Sequence, residues 1–337
     1  MLPSLAIAEA LSERGVRVTF AGSPDRVEAR LVPDAGFEFD AFRVTGLPRR
    51  PGPALARSFT LAVRAPRACL QILARRRPDV VLGGGGYVSG PMVFAAALRR
   101  TPAALLEVDA HLGLSNRLAA PFARRVFLSF PIDGRSGAKY PVTGRPVPAR
   151  SRAIAPEEAR RRFGLPANGP VLLVFGGSQG ALALNELAVD AFGAEGPAVL
   201  HLSGARDYEA LRGRVARTDY LLLAFTDDFG AALAAADLAL ARAGGSVWEL
   251  AAAGLPAVLV PYPHATADHQ TKNARYFEHA GGAVLVPQNE LTRVPGLVRE
   301  LLAAPPRLGE MREAMLRVAR PNAAAEIAEE LIALATA

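Results

Sequence analysis

The sequence contains little cysteine and no long uninterrupted apolar run. A single cysteine, Cys69, among 337 residues excludes an intramolecular disulfide and a multi-thiolate metal site, and it is typical of a reducing compartment. No apolar stretch reaches the roughly 18 residues of a membrane-spanning helix, because arginines interrupt even the most apolar segment, 54–74. The first residues, MLPSLAIAEALSERG, lack the basic start of a secretory signal. We therefore expect a soluble or peripheral membrane protein.

Metal-binding patterns are also absent from the sequence. The five histidines show no ligand spacing such as HExxH, and no D-x-D sequence occurs. Charge on a bound diphosphate would then be neutralised by helix dipoles and backbone N–H groups rather than by a metal ion coordinated by carboxylates. We predict no metal site and no cofactor.

Charge is distributed unevenly between the two halves. Residues 1–150 carry 22 Lys and Arg against 11 Asp and Glu, whereas residues 151–337 carry 17 against 21. This asymmetry predicts an anionic partner for the first half only, either nucleic acid or a bilayer with anionic lipid. The basic residues are interleaved with aliphatic residues rather than stacking aromatics, which favours an anionic membrane surface over nucleic acid.

The strongest candidate for lipid contact is the segment 49–77. It holds eight arginines, no acidic residue and an apolar stripe. We expect it to dock on anionic lipid as an amphipathic surface. The alternative is a solvated helix that packs on the sheet through its apolar stripe.

Short Val/Leu-rich runs alternate with Ala/Leu/Arg helical patterns along the chain, as βαβ units do. Strands are predicted at 16–21, 37–44, 79–82, 103–107, 125–128, 171–175, 198–202, 220–224, 237–241 and 257–260, and helices at 2–14, 53–76, 90–100 and 113–123. We predict an α/β fold with two doubly wound, Rossmann-like domains, 1–148 and 149–337, separated by a cleft. The last helix is expected to return to the first domain.

The start of the sequence departs from this pattern. A Rossmann-like half should open with a buried strand and a glycine-rich turn into its first helix. This sequence opens inside that helix, so we expect the first strand to be missing from it.

Three glycine-rich turns follow predicted strands and precede helices, at 83–91 (GGGGYVSGP), 176–181 (GGSQGA) and 244–246 (GGS). Backbone N–H groups in such turns can bind anionic oxygens, and Ser178 adds a hydroxyl. Glu249, one turn into the following helix, can accept bonds from vicinal ribose hydroxyls. The alternatives are tight structural turns and, for Glu249, a simple helix-dipole partner.

Polar residues follow two further predicted strands. His269 and Gln270 are candidates for reading sugar hydroxyls, and Asn273 is expected to cap or pin the following helix. Glu107, Asp109, His111 and Asn116 cluster at the end of strand 103–107, which is sufficient for general-base chemistry. Ordinary surface caps and a structural histidine are the alternatives.

The motifs DVVLGGGGYVSGP, TGRPV, GGSQGA, FTDD and RAGGSVWELAAAGLPAVLVPYPHATADHQTKNA together resemble the MurG family of peptidoglycan N-acetylglucosaminyltransferases over essentially the whole chain. The resemblance implies a GT-B fold and inverting transfer of GlcNAc from UDP-GlcNAc to the C4 hydroxyl of MurNAc in undecaprenyl-diphospho-MurNAc-pentapeptide. It also implies peripheral attachment at the cytoplasmic face of the cell membrane, with the acceptor in the first domain and UDP-GlcNAc in the second.

The resemblance also assigns roles to individual residues. For the donor, it implies diphosphate contacts by Gly176, Gly177, Ser178, Gln179 and Gly180, and uracil contacts by Phe225 and Thr226. It implies that Gly244, Gly245 and Ser246 form a second turn of the donor site and that Glu249 binds the ribose. It implies GlcNAc contacts by His269 and Gln270. It implies an acceptor site lined by Gly85, Gly86, Tyr87, Ser89, Asp109 and Asn116. The catalytic base stays open among Asp109, Glu107 and His111.

The sequence departs from the family pattern in three places. Family members begin with a strand and a GGTGGH loop, whose histidine is a candidate base or diphosphate contact, and this sequence starts just after that position. Val108-Asp109 replaces the usual Gln-Asn pair, and Pro148 replaces an arginine. The last two are acceptable variants, but the first removes a candidate catalytic residue and a core strand. For that reason we expect the chain as written to be nearly inactive.

Two rival interpretations follow. One is a non-catalytic UDP-sugar-binding protein. The other is a GT-B enzyme with a different acceptor or reaction, such as a diacylglycerol glycosyltransferase or a UDP-GlcNAc epimerase, which the GGGGYVSGP loop of the acceptor half disfavours.

Overall fold

A computed structural model describes residues 1–44, 53–148, 154–177 and 180–336. For residues 53–64 it describes the backbone only. The chain forms two compact units, one comprising Met1–Pro146 with Pro321–Ala337 and the other Val147–Arg320. Within the described ranges, none of the helices combines the length and apolar character needed to span a bilayer.

Among the described residues, helices and strands alternate up to residue 285, after which three α-helices follow one another. The helices are α1 (Leu2–Ser12), α2 (Glu28–Asp34), α3 (Pro53–Arg76), α4 (Gly86–Leu98), α5 (Leu114–Ala119), α6 (Pro156–Arg162), α7 (Leu182–Phe192), α8 (Ala205–Leu211), α9 (Phe229–Ala235), α10 (Val247–Ala252), α11 (His269–His279), α12 (Val294–Leu302), α13 (Pro305–Val318) and α14 (Ala323–Thr336). The strands are β1 (Thr19–Gly22), β2 (Glu38–Ala41), β3 (Val81–Gly83), β4 (Ala103–Glu107), β5 (Arg125–Leu128), β6 (Val171–Phe175), β7 (Ala198–Leu202), β8 (Tyr220–Leu223), β9 (Leu238–Ala241), β10 (Ala257–Leu259) and β11 (Ala283–Leu285).

The described residues of the first unit form two separate parallel sheets. Strands β1 and β2 form one, and β3, β4 and β5 form the other in that order. Val18, next to β1, and Val80 and Leu82, at β3, pack against one apolar cluster that also includes residues of α1 and α14. The two sheets thus share a helical layer, although no hydrogen-bonded strand joins β1 to β3 among the described residues.

The second unit contains one six-stranded parallel sheet in the order β11-β10-β9-β6-β7-β8. This is the doubly wound Rossmann order, which reverses between β6 and β9. All five residues of β6, VLLVF, are buried, as expected for a parallel strand covered by helices on both faces. Ligands of such sheets bind at the carboxyl ends of the strands flanking the reversal.

Some predicted boundaries differ from those observed. The helix predicted from residue 90 begins at Gly86, because Gly85 with φ +91° turns the chain directly into it. The helix predicted over 113–123 ends at Ala119 and is followed by a 3-10 turn, Ala120–Phe122. Helix α2 and strand β11 were not predicted.

Candidate functional site

The glycine turn after β6 packs tightly onto the end of β7. The N–H of Gly180, with φ +72°, donates to the carbonyl of Gly177 at 2.9 Å. A Cβ at Gly180 would overlap the carbonyl oxygen of Ser203 and lie 3.2 Å from Asp207 Oδ2, so only glycine fits there. Ser178 and Gln179, also predicted to contact the donor, lie outside the described residues.

A buried asparagine on α7 supports this turn. Asn185 Nδ2 donates to the carbonyl of Ser203 and to Asp207 Oδ2, both at 2.9 Å. Its Oδ1 lies 3.0 Å from His201 Nε2, and His201 Nδ1 lies 2.9 Å from the hydroxyl of Tyr220. Burial lowers the pKa of His201 to about 4, so the imidazole is neutral at physiological pH.

The turn after β9 is tied to the loops around it by a buried arginine. Arg242 donates to the carbonyls of Val260 and Pro261 at 3.2 and 3.1 Å and to Gln288 Oε1 at 2.6 Å. Burial lowers the pKa of the Arg242 guanidinium. Asn273 is fully buried on α11 and donates to the carbonyl of Ala243 at 3.1 Å. The predicted pinning by Asn273 therefore acts on the β9 turn.

The remaining predicted donor residues follow β8 and β9. Gly244, Gly245 and Ser246 lead directly into α10, and Glu249 lies half-buried in the first turn of that helix. The ring of Phe225 is exposed, and Thr226 Oγ1 accepts a bond from the N–H of Asp228 at 3.1 Å. Asp228 in turn caps α9 by accepting from Ala231 N.

At the start of α11, hydrogen bonds to the backbone determine which side-chain group Gln270 and His269 leave available to a ligand. Gln270 Oε1 accepts from the N–H of Tyr262 at 2.9 Å. His269 Nδ1 donates to the carbonyl of Thr266 at 2.8 Å. Because these atoms are engaged, Gln270 presents its NH2 group as a donor, and the neutral form of His269 presents Nε2 as an acceptor.

In the first unit, the glycine turn after β3 leads directly into α4, and a hydrogen bond lies within the first turn of that helix. Ser89 Oγ donates to the carbonyl of Gly85 at 2.8 Å and is buried, whereas the side chain of Tyr87 is 60% exposed. The Ser89 hydroxyl is thus bonded back to the residue that caps the start of α4, and Tyr87 and the backbone of Gly86 face solvent.

Glu107 organises the loop after β4. Its Oε1 accepts from the N–H groups of Val108 and Asp109 at 3.0 and 3.4 Å, and its Oε2 accepts from Gly113 N and Asn116 Nδ2, both at 2.9 Å. Burial raises the pKa of Glu107, and the hydrogen bonds oppose that rise. Asp109 and His111 are half-buried on the loop that Glu107 and Asn116 hold.

In both units, the predicted residues that the structure describes follow the carboxyl ends of parallel strands. Those of the second unit follow β6, β8, β9 and β10 at one edge of its sheet, and those of the first unit follow β3 and β4. Within the described ranges, no group of three His, Cys, Asp or Glu side chains is arranged to hold a metal ion. Sequence reasoning missed the buried His201, Tyr220 and Asp207.

Comparison with known proteins agrees with this arrangement. Residues 1–128 match the glycosyltransferase family 28 N-terminal domain and residues 171–331 match its C-terminal domain. A protein of Acidithiobacillus ferrooxidans named UDP-N-acetylglucosamine--N-acetylmuramyl-(pentapeptide) pyrophosphoryl-undecaprenol N-acetylglucosamine transferase is 43% identical, over 98% of this chain and 94% of its own. The crystal structure of Acinetobacter baumannii MurG is 28% identical with a TM-score of 0.78, covering 98% of this chain and 95% of its own.

A third similarity concerns the fold alone. The UDP-GlcNAc 2-epimerase from Neisseria meningitidis superimposes with a TM-score of 0.65 at 14% identity, covering 98% of this chain and 96% of its own. The predicted α/β GT-B fold and the predicted family are confirmed. The chain belongs to glycosyltransferase family 28 and, within it, to the MurG family of N-acetylglucosaminyltransferases.

Proposed function

We propose that this chain transfers GlcNAc from UDP-GlcNAc to the C4 hydroxyl of MurNAc in undecaprenyl-diphospho-MurNAc-pentapeptide, converting lipid I into lipid II. The observation that carries the proposal is the pair of glycine turns at 176–181 and 244–246, which follow the two strands flanking the reversal of the second unit's sheet. The name of the Acidithiobacillus ferrooxidans relative describes the same transfer.

The second unit supplies the donor site. Backbone N–H groups at the start of α7, which follows the turn at 176–181, stabilise the diphosphate, including the charge that develops as UDP leaves. Glu249 accepts bonds from the ribose hydroxyls, and Phe225 and Thr226 hold the uracil. The turn at 244–246 closes the donor site from its other side.

His269 and Gln270 bind the sugar through groups of opposite hydrogen-bonding character, one an acceptor and the other a donor. His269 Nε2 accepts from a hydroxyl of GlcNAc, because its Nδ1 is committed to Thr266. The NH2 group of Gln270 donates to a sugar oxygen, because its Oε1 is committed to Tyr262. Such a pair favours neighbouring hydroxyls that act one as donor and one as acceptor.

The first unit supplies the acceptor site and the base. Gly85, Gly86 and Tyr87 meet the acceptor, and Ser89 and Asn116 hold the loops that carry these contacts. The reaction is a single displacement in which the C4 oxygen attacks the anomeric carbon with inversion while a base takes the hydroxyl proton.

Among the three base candidates, Glu107 is the least suited. Its carboxylate is 5% exposed and already accepts four hydrogen bonds. We therefore propose Glu107 as a carboxylate that orders the loop, and Asp109 and His111 remain the candidates for the base.

The first unit also docks peripherally on the cytoplasmic face of the membrane. Helices α4 and α5 and the turn after them pack together and expose large apolar side chains beside arginines. These side chains are Phe94, Leu98, Leu114, Leu118 and Phe122, with Arg99, Arg100, Arg117 and Arg124. An apolar surface with basic neighbours binds anionic lipid by insertion and by charge.

The basic segment 49–77 contributes less than its arginine count suggests. Arg75 and Arg76 are ion-paired with Asp40 at 2.6 and 2.7 Å, so these two charges tie α3 to β2. Residues 49–52 and the side chains of 53–64 lie outside the described part of the chain.

A transfer assay tests the proposal. The chain should bind UDP-GlcNAc in calorimetry and, mixed with a lipid-linked MurNAc-pentapeptide acceptor, release UDP and form the disaccharide, at the very low rate expected from the departures in its sequence. Binding without transfer would support the alternative of a non-catalytic UDP-sugar-binding protein, and absence of both would refute the proposal.

A further inference from the structure

A continuous chain of buried polar side chains crosses the core of the second unit. It runs from Tyr220 on β8 through His201 on β7 and Asn185 on α7 to Asp207 on α8, with successive distances of 2.9, 3.0 and 2.9 Å. All four side chains are buried, and the side chains of Asn185 and His201 are fully so. A polar chain in an otherwise apolar core requires a physical reason, because burying polar groups costs free energy unless every group is satisfied.

The direction of each hydrogen bond in this chain is determined. Asn185 uses both hydrogens of Nδ2 on the Ser203 carbonyl and on Asp207, so its Oδ1 must accept from His201 Nε2–H. The neutral His201 then accepts at Nδ1 from the hydroxyl of Tyr220. At the other end, Arg206 pairs with both oxygens of Asp207 at 2.7 and 2.9 Å and keeps it ionised.

The chain ends on the backbone of the glycine turn at 176–181. Asn185 holds the same Ser203 carbonyl against which Gly180 packs without room for a Cβ, and it holds the Asp207 oxygen next to that carbonyl. The N–H of Asn185 also donates to the carbonyl of Ala181 at 2.9 Å. The side chain of Asn185 therefore holds the two atoms, the Ser203 carbonyl oxygen and Asp207 Oδ2, against which Gly180 packs.

We propose that Asn185, oriented by His201 and Tyr220, is a positioning residue that fixes where Gly180 and Ala181 lead into α7 and thereby sets the affinity for the nucleoside diphosphate sugar. This inference rests on the proposed donor site. Asn185 touches no substrate in this scheme. It acts by holding Ser203 and Asp207, so that the backbone N–H groups at the start of α7, which follow Gly180 and Ala181, are preorganised for the diphosphate before it binds.

The principal test compares Asn185→Leu with Val189→Ala. Both positions are buried on α7, but Val189 packs in the apolar core, one turn further along the helix. We expect Asn185→Leu to raise the Kd for UDP and the KM for UDP-GlcNAc about tenfold and to lower kcat, because the same N–H groups stabilise the departing diphosphate, with the KM for the acceptor within about twofold of the parent. Val189→Ala should lower the Tm and leave the Kd unchanged.

Two histidine variants separate positioning from simple core packing. His201→Gln keeps an N–H donor toward Asn185 and should keep the parent Kd within about twofold. His201→Leu removes that donor and should raise the Kd about fivefold. Equal effects of the two would overturn the role of His201.

Hydrogen exchange measures the turn directly. In Asn185→Leu the amides of Gly180 and Ala181 should exchange faster than in the parent, whereas Val189→Ala should leave their rates unchanged. If Asn185→Leu does not fold, Asp207→Asn replaces it, and it should raise the Kd about threefold because it weakens a charge-assisted bond.

Unchanged Kd and unchanged exchange in Asn185→Leu would overturn the inference, as would an equal rise of the Kd in Val189→Ala. A failure of the proposed function gives a different result from a failure of this inference. If the parent does not bind UDP-GlcNAc, the donor site is refuted, and the exchange rates at Gly180 and Ala181 still decide whether Asn185 positions the turn.

Discussion

Asn116 donates to Glu107 Oε2 at 2.9 Å and, from the same Nδ2, to the carbonyl of Leu106 at 2.9 Å. The second unit repeats this relationship between Asn185 and Asp207, with the Ser203 carbonyl in place of Leu106. In each unit a buried asparagine on a helix joins a carboxylate to a carbonyl at the end of a parallel strand. Both carboxylates lie beside loops that carry predicted substrate contacts.

The first prediction concerns Glu107→Gln. An amide in this position offers one acceptor oxygen and places an NH2 group against backbone N–H donors, so the loop loses about 1 to 3 kcal/mol of stabilisation. We expect a lower Tm and a higher KM for the acceptor, with an unchanged Kd for UDP-GlcNAc. The exposed Glu9→Gln on α1 is the matched control. A parent-like Tm and acceptor KM would show that Glu107 does not order this loop.

The second prediction concerns stability at acid pH. The pKa of His201 is lowered by burial to about 4, whereas an unfolded histidine titrates near about 6.5. Between these values the unfolded state binds the proton and the folded state does not. Stability of the second unit should therefore be complete above about pH 6.5 and fall by about 3 kcal/mol as pH drops to about 4.

Urea unfolding at several pH values between 7 and 5 measures this slope. His201→Gln should flatten it, because the titrating group is gone. His279→Gln, which removes an exposed histidine, should retain the parent's slope. A slope equal in the parent and in His201→Gln would assign the acid sensitivity to other groups.

The buried strands were predictable because of their composition. Parallel strands covered on both faces form continuous apolar runs, and strands 103–107, 125–128, 171–175 and 198–202 were predicted with the observed bounds. Helix α2 was missed because it is only seven residues long and contains Pro33. Strand β11 has three residues, too few to show a period.

The candidate site was predictable only in part. Glycine turns between a strand and a helix are local patterns, so the turns at 83–91, 176–181 and 244–246 could be found from the sequence. The contacts of Asn185 with Asp207, 22 residues away, arise from the sheet order. One signal was available, because His201 interrupts an apolar strand, and a polar residue inside a buried strand indicates a satisfied hydrogen-bond network.

The third prediction concerns Glu249→Ala. Loss of hydrogen bonds between a carboxylate and ribose hydroxyls should weaken UDP-GlcNAc binding by about 1 to 3 kcal/mol in calorimetry. Glu310→Ala, an exposed glutamate on α13, is the control and should bind as the parent does. Unchanged affinity in Glu249→Ala would remove this residue from the donor site.

The fourth prediction concerns the two sheets of the first unit. Because β1 and β3 each have one partner strand among the described residues, their edges are less protected than the centre of the six-stranded sheet. Amides of Thr19–Gly22 should exchange faster than those of Val171–Phe175 in the folded protein. Equal protection of the two strands would contradict the separation of β1 from β3.

The last prediction concerns the membrane surface. Leu98→Ser combined with Leu118→Ser removes two apolar side chains that are 59% and 65% exposed, and it should reduce co-sedimentation with vesicles that contain anionic lipid. Replacing Arg49, Arg50, Arg57 and Arg64 with Gln should also reduce it, by about 1 kcal/mol for each arginine near the surface. Binding of the parent should fall as salt rises, because exposed charges are screened beyond roughly 10 Å at 0.1 M.

Leu316→Ser, on α13 of the second unit, is the control for the loss of an exposed leucine. It should sediment as the parent does, and all variants should keep the parent's affinity for UDP-GlcNAc, because the donor residues belong to the other unit. If both the leucine pair and the arginine set sediment like the parent, neither surface contacts lipid. If only the arginine set loses binding, charge rather than apolar insertion holds the first unit on the bilayer.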